Sequence, residues 1–158
     1  AFRNPMSTEE FEQGAGGRRW DWAAALVALV GLADASYLTA EHLSGNSVRC
    51  MIVSGCDVVL QSSYSTVGGG VPVAALGALA YFAAFSLATL AAYGYGGARK
   101  LLVPLVAVMF LATLWFLYLQ AFVIEAFCFY CLVSAAVTTT LTALVLARRF
   151  LGARSRLA

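Results

Sequence analysis

The sequence predicts an all-α integral membrane protein: a four-transmembrane-helix bundle with an outer loop and short helix capping a pocket. Composition, hydropathy and the placement of basic residues carry that prediction. Of 158 residues, 61% are hydrophobic and 11% charged, and the mean hydropathy is +0.82. Soluble domains average about 45–50% apolar and about 25% charged residues, so water is a poor solvent for this surface and lipid a good one. One compositional regime runs throughout, as expected for a single domain.

Four apolar stretches follow, at 22–43, 71–93, 101–124 and 127–146. Each approaches the roughly 20 residues that a helix needs to cross about 30 Å of hydrocarbon. None alternates as a barrel strand would, so helices are the spanning form. Arg18 and Arg19 precede the first stretch as in a signal peptide. Its apolar run is too long for that and lacks a small-residue cleavage site, so it reads as a retained helix. The domain reading is a mobile N-terminal tail at 1–19, a membrane domain at 20–148 and a basic C-terminal tail at 149–158.

Basic residues near spans collect on the cytoplasmic side. Arg3, Arg18, Arg19, Arg99, Lys100, Arg148, Arg149, Arg154 and Arg156 fall on one side of a four-span chain, and Arg49 alone on the other. Both termini and the middle loop are therefore expected in the cytoplasm. The loop at 44–70 and the tight connection around Glu125 are expected outside. All four cysteines then share the extracytoplasmic face, where disulfides persist.

Their spacing is C-x5-C (Cys50, Cys56) and C-x2-C (Cys128, Cys131). A CxxC opening a helix is a redox signature, because the helix N-terminus favours a thiolate. Cys131, one turn on, would lie deeper towards the bilayer. A dithiol at that boundary can take electrons from a soluble thiol and pass them to a lipid-soluble acceptor. Two plainer readings compete: a zinc site and a structural clasp. No knuckle glycine follows either pair, which disfavours zinc. Clasps rarely need CxxC at a helix start, so a thiol–disulfide relay is preferred.

The string Cys50…Cys56-Asp57-Val58-Val59-Leu60-Gln61-Ser62, then Gly70-Val71-Pro72…Gly77…Tyr81, then Phe127-Cys128-Phe129-Tyr130-Cys131 resembles the vitamin K epoxide reductase family, particularly its bacterial homologues. Tyr37-Leu38-Thr39 fits it too, and the resemblance covers roughly residues 20–148. A DsbB-type quinone reductase has its CxxC in the first outer loop and a spaced pair in a longer second one, the reverse of the order here.

The resemblance implies a mechanism. A reduced thioredoxin-like or DsbA-like protein attacks a Cys50–Cys56 disulfide at Cys50. Cys56 passes electrons to Cys128, and Cys131 reduces a quinone, ubiquinone or menaquinone. Ser62, Val59, Leu60, Phe116 and Gln120 are the candidate quinone-binding residues, with residues 57–63 lying as a short helix over the quinone pocket. Ala135 stands where animal enzymes acting on vitamin K have a tyrosine, which favours plain quinone over epoxide. Many bacterial relatives carry a fifth helix and a fused thioredoxin-like domain. This sequence ends soon after Arg149, so the partner is expected to be a separate protein unless a longer chain has been shortened.

Asp34 lies inside the first span, where an ionisable group is a functional candidate by default. It reads as a proton relay to the quinone or as a hydrogen-bonded bundle residue. His42 is a second candidate proton donor or a plain interfacial residue. Gln120 and Tyr118 could bond within the bundle or to a quinone oxygen. Trp20, Trp22, Tyr93 and Tyr95 form an expected inner aromatic belt, Pro72 and Pro104 are expected to begin helices, and small residues such as Ala74, Gly77 and Ala84 permit close helix packing. No nucleic-acid patch, phosphate loop or hydrolase triad is present.

Overall fold

The structure, a computed structural model, describes residues 8–46 and 55–157. Four helices are long and apolar enough to cross a membrane, with candidate spans at Gly16–Ser44, Val73–Ala92, Gly96–Val123 and Phe129–Arg154. They belong to α1 (Thr8–Ser44), α3 (Val73–Ala92), α4 (Gly96–Tyr118, continued by a π-helical turn at Leu119–Val123) and α5 (Phe129–Leu157). Between α1 and α3 the chain forms a short helix α2 (Cys56–Leu60), a 3-10 turn (Ser63–Ser65) and a two-residue antiparallel ladder, β1 (Thr66–Val67) with β2 (Val71–Pro72). The fold is thus the all-α membrane bundle that the apolar stretches predicted.

The core explains the small residues. α1 packs most extensively on α3, through Ala24, Ala25 and Ala28 of α1 and Ala84 and Ala88 of α3, all buried. Without a hydrophobic drive between helices in lipid, close backbone approach and dispersion must hold the pair, and alanine permits both. Leu102, Val106, Met109, Leu141 and Val145 fill the same cluster from α4 and α5. Large apolar side chains such as Leu79, Leu111, Trp115 and Phe122 point outwards, as expected where lipid is the solvent.

Helix boundaries differ from the sequence reading in three places. Residues 8–19 continue α1, and residues 149–157 continue α5, where tails were expected. Pro104 lies inside α4 and does not begin it: the helix starts eight residues earlier, at Gly96. A proline inside a spanning helix is tolerated because neighbouring helices and local adjustments offset the lost N–H bond. Pro72 caps α3 from the position just before its first residue.

The early start of α4 has an electrostatic cause. Arg99 donates to Asp21 Oδ2 at 3.2 Å and to the Ala91 carbonyl at 3.1 Å, and Arg148 pairs with the same carboxylate. The Asp21 side chain is 3% exposed, so two guanidiniums offset a buried charge that would otherwise be costly. This cluster ties α1, α4 and α5 together. Nearby, Trp22 and Tyr93 meet edge-on at 5.8 Å, as belt residues. Arg148 lies twenty residues along α5 from Cys128, about 30 Å at 1.5 Å per residue, so the ion cluster and the CxxC occupy opposite ends of the bundle.

Candidate functional site

Cys128 is the residue before α5, and its carbonyl accepts the first helical bond, from Leu132 N–H at 3.0 Å. At that position its sulfur faces the free N–H groups of Tyr130 and Cys131. The Cys131 thiol also donates to it. That side-chain bond is the strongest of the influences that hold the Cys128 thiol down from 9.0 to about 7; burial acts the other way. A thiolate near neutral pH is what exchange chemistry needs.

The Cys128 backbone is fixed as well. Its N–H donates to Gln120 Oε1 at 3.0 Å, and Gln120 is 2% exposed. Gln120 reaches this point because the helix widens into the π-turn at Leu119–Val123, a distortion often found at functional sites. Glu125 then takes φ +54, a left-handed conformation that folds the chain sharply back. Tyr118, its companion candidate, is half exposed and stacks between Trp115 and Phe122.

The segment between α1 and α3 packs directly onto this turn. Cys56 opens α2, is wholly buried, and shares one cluster with Leu38, Val59 and the equally buried Cys128. Gly55 makes the approach possible. A β-carbon there would lie 2.5 Å from the Phe127 carbonyl oxygen and 2.9 Å from its nitrogen. Cys56 is disulfide-bonded, whereas Cys128 and Cys131 are free thiols. Cys50 lies outside the described residues.

On the other side of Cys131 is a cavity of about 390 Å³ whose walls are mostly apolar. α2 and the 3-10 turn contribute Val59, Leu60, Tyr64 and Ser65 to its wall. All five residues named above as quinone-binding candidates line it: Val59, Leu60, Ser62, Phe116 and Gln120. Ser62 donates its hydroxyl to the Val59 carbonyl at 2.7 Å, which holds the end of α2. Asp34, His42 and Ala135 also face the cavity.

Tyr81 supplies a polar cluster that sequence reasoning missed. Its hydroxyl donates to the Ser134 carbonyl at 2.9 Å and bonds the Ser134 and Thr138 hydroxyls at 2.8 and 2.7 Å. The ring crosses Gly31 of α1, where any β-carbon would collide with it. Tyrosine on α3 and hydroxyls three and seven residues after Cys131 were the available signal, but nothing in one sequence pairs residues 53 and 57 positions apart.

Two thiols thus face two environments. Cys128 sits among buried groups beside a disulfide-bonded cysteine, and Cys131 borders an apolar chamber. That arrangement can move an electron pair between a disulfide and a flat apolar acceptor. No curated protein matches the chain. The model of the vitamin K epoxide reductase family matches residues 22–146, a range that holds α2, the cavity and both CxxC cysteines, and the chain belongs to that family of membrane thiol–disulfide oxidoreductases.

Proposed function

We propose that the protein carries electrons from an extracytoplasmic thioredoxin-like or DsbA-like protein to a membrane quinone, and so supports disulfide formation outside the cytoplasm. The observation that carries this reading is the division between Cys128, buried against Cys56, and Cys131, open to the apolar cavity. The bacterial inner membrane is the setting, with both termini cytoplasmic. The basic residues Arg99 and Arg148 lie at the end of the bundle away from the cysteines, in agreement with that orientation.

The partner's thiolate attacks Cys50 of a Cys50–Cys56 disulfide, and Cys56 leaves as a thiolate. Cys56 attacks Cys128 of an oxidised CxxC, freeing Cys131. The partner's second thiolate attacks the partner sulfur bound to Cys50, so the partner leaves as a disulfide and Cys50 leaves as a thiolate. Cys50 then attacks Cys56 and releases Cys128. The low pKa of Cys128 suits it to be a leaving group, since exchange runs faster when the departing thiol is more acidic. The free thiols at Cys128 and Cys131, with Cys56 in a disulfide, correspond to the state in which electrons have reached the inner pair.

The cavity fits a quinone head group. Its walls are apolar, its volume is within the usual range for small ligands, and a few polar groups converge on it. A bound quinone supplies a two-electron, two-proton acceptor. Val59, Leu60 and Phe116 would pack on its ring, and Gln120 and Ser62 would border it. Val59 and Leu60 of α2 form part of the apolar wall of the cavity that Cys131 borders.

The test is dithiothreitol-driven quinone reduction by purified protein. Cys131→Ala is expected to abolish turnover, and Cys56→Ala to abolish it with a protein dithiol as donor. Undiminished quinone reduction by Cys131→Ala would overturn the relay.

A further inference from the structure

Among the described residues, Asp34 of α1 is the one carboxyl group that lines the cavity, and its Oδ2 is buried with no hydrogen-bond partner. Buried polar atoms are nearly always satisfied, and an exception asks for an explanation. No lysine or arginine is among the described lining residues; the titratable groups there are Asp34, His42, Tyr64, Tyr81 and Cys131. The Tyr81 hydroxyl is already committed to Ser134 and Thr138. With no lysine or arginine among the described lining residues to offset it, a carboxylate in this apolar chamber is costly, and burial favours the neutral acid.

We propose that Asp34 is a catalytic residue that gives its proton to a quinone oxygen as Cys128 and Cys131 are oxidised. This rests on the quinone reading above and names the group that completes it. The balance is closed. The Cys128–Cys131 disulfide forms, two electrons pass to the quinone, and two O–H bonds are made. The protons come from the two thiols, one of them by way of Asp34, which donates and is reloaded. Asp34 is therefore unchanged after each turnover, and no outside oxidant beyond the quinone is consumed. An acid oxygen without a hydrogen bond among the described residues suits that role, since a partnered one would have to break a bond first.

Two measurements on the full chain in detergent test this, with a short-chain soluble benzoquinone as probe. In Cys131→Ser, which cannot turn over, infrared difference spectra should show a protonated-carboxyl carbonyl band that shifts on quinone addition and is absent from D34N/C131S. In single turnovers of dithiothreitol-reduced protein, D34N should slow quinone reduction by roughly 100-fold, the lower range for general acids. Quinone affinity should stay within about threefold of the original value, and D34E should recover most of the rate, because only the proton and not the shape is essential. A band unmoved by quinone, or wild-type rates in D34N beside an active parent, would overturn the assignment while leaving the relay intact. A parent protein that reduces no quinone would overturn both. If D34N proves unstable, the infrared result on Cys131→Ser decides alone.

Discussion

Substituting Gly55 with alanine tests the contact that joins the two cysteine pairs. The backbone of Gly55 has φ −94, which alanine adopts without strain, so the effect isolates space from conformation. The added β-carbon would lie 2.5 Å from the Phe127 oxygen, and ordinary contact begins at 3.4 Å. The segment must retreat by the difference, 3.4 − 2.5 = 0.9 Å. Neither neighbour can yield easily, because both atoms belong to backbone and the adjacent Cys128 N–H is held by Gln120. Misplacing reacting groups by about 1 Å costs on the order of 100-fold in rate, and overpacking costs about 1–3 kcal/mol in stability. Gly55→Ala is therefore expected to slow electron transfer from the outer pair to the CxxC by roughly 100-fold. Single-turnover quinone reduction by a chemically reduced CxxC should change little. Stopped-flow mixing of a protein dithiol donor with oxidised protein separates the two steps. Wild-type transfer in a folded Gly55→Ala protein would refute the claim that this approach sets the geometry of exchange.

Further outcomes follow from the same structure. Gln120→Leu leaves the buried Cys128 N–H without an acceptor, which should cost about 1–3 kcal/mol and lower the thermal midpoint in detergent. Asp21→Asn removes the shared carboxylate from Arg99 and Arg148 and should destabilise the bundle by about 3 kcal/mol without altering single-turnover quinone reduction at the far end. In Cys50→Ala/Cys56→Ala protein, ultraviolet thiolate absorbance should rise through about pH 7 as Cys128 ionises. Because the Cys131 hydrogen bond is the leading cause, adding Cys131→Ala should move that midpoint up towards 9.0. A midpoint unmoved by that substitution would contradict the hydrogen-bond account.

Much of the fold was legible in the sequence because lipid imposes one strong rule: about 20 apolar residues per span and helical backbone throughout. Helix ends were less legible. Arg99 and Lys100 look like a loop by hydropathy, yet Arg99 belongs to α4 because its guanidinium reaches Asp21, 78 positions away. The CxxC was plain from spacing alone, and the apolar face of α2 from its three valine and leucine residues. What the sequence could not show were contacts made by absence. Gly55 matters for the β-carbon it lacks, and Asp34 for an oxygen left without a hydrogen bond among the described residues. Gln120 illustrates the middle case: its polarity in a span marked it as special, but only the π-turn reveals that its oxygen is spent on the Cys128 amide.

The complete burial of Cys56 and Cys128 also bears on leakage. Small thiols and peroxides diffuse freely through the space outside a bacterial inner membrane, and an exposed pair of acidic thiols would equilibrate with them. Covered by α2 and backed by the turn at Glu125, Cys128 is shielded from small solutes of that kind. In the proposed relay, electrons from a protein dithiol then enter through the outer disulfide and not at Cys128 itself. If the proposed relay holds, the cover works as a selective contact that slows the drain of the quinone-coupled circuit by background thiols.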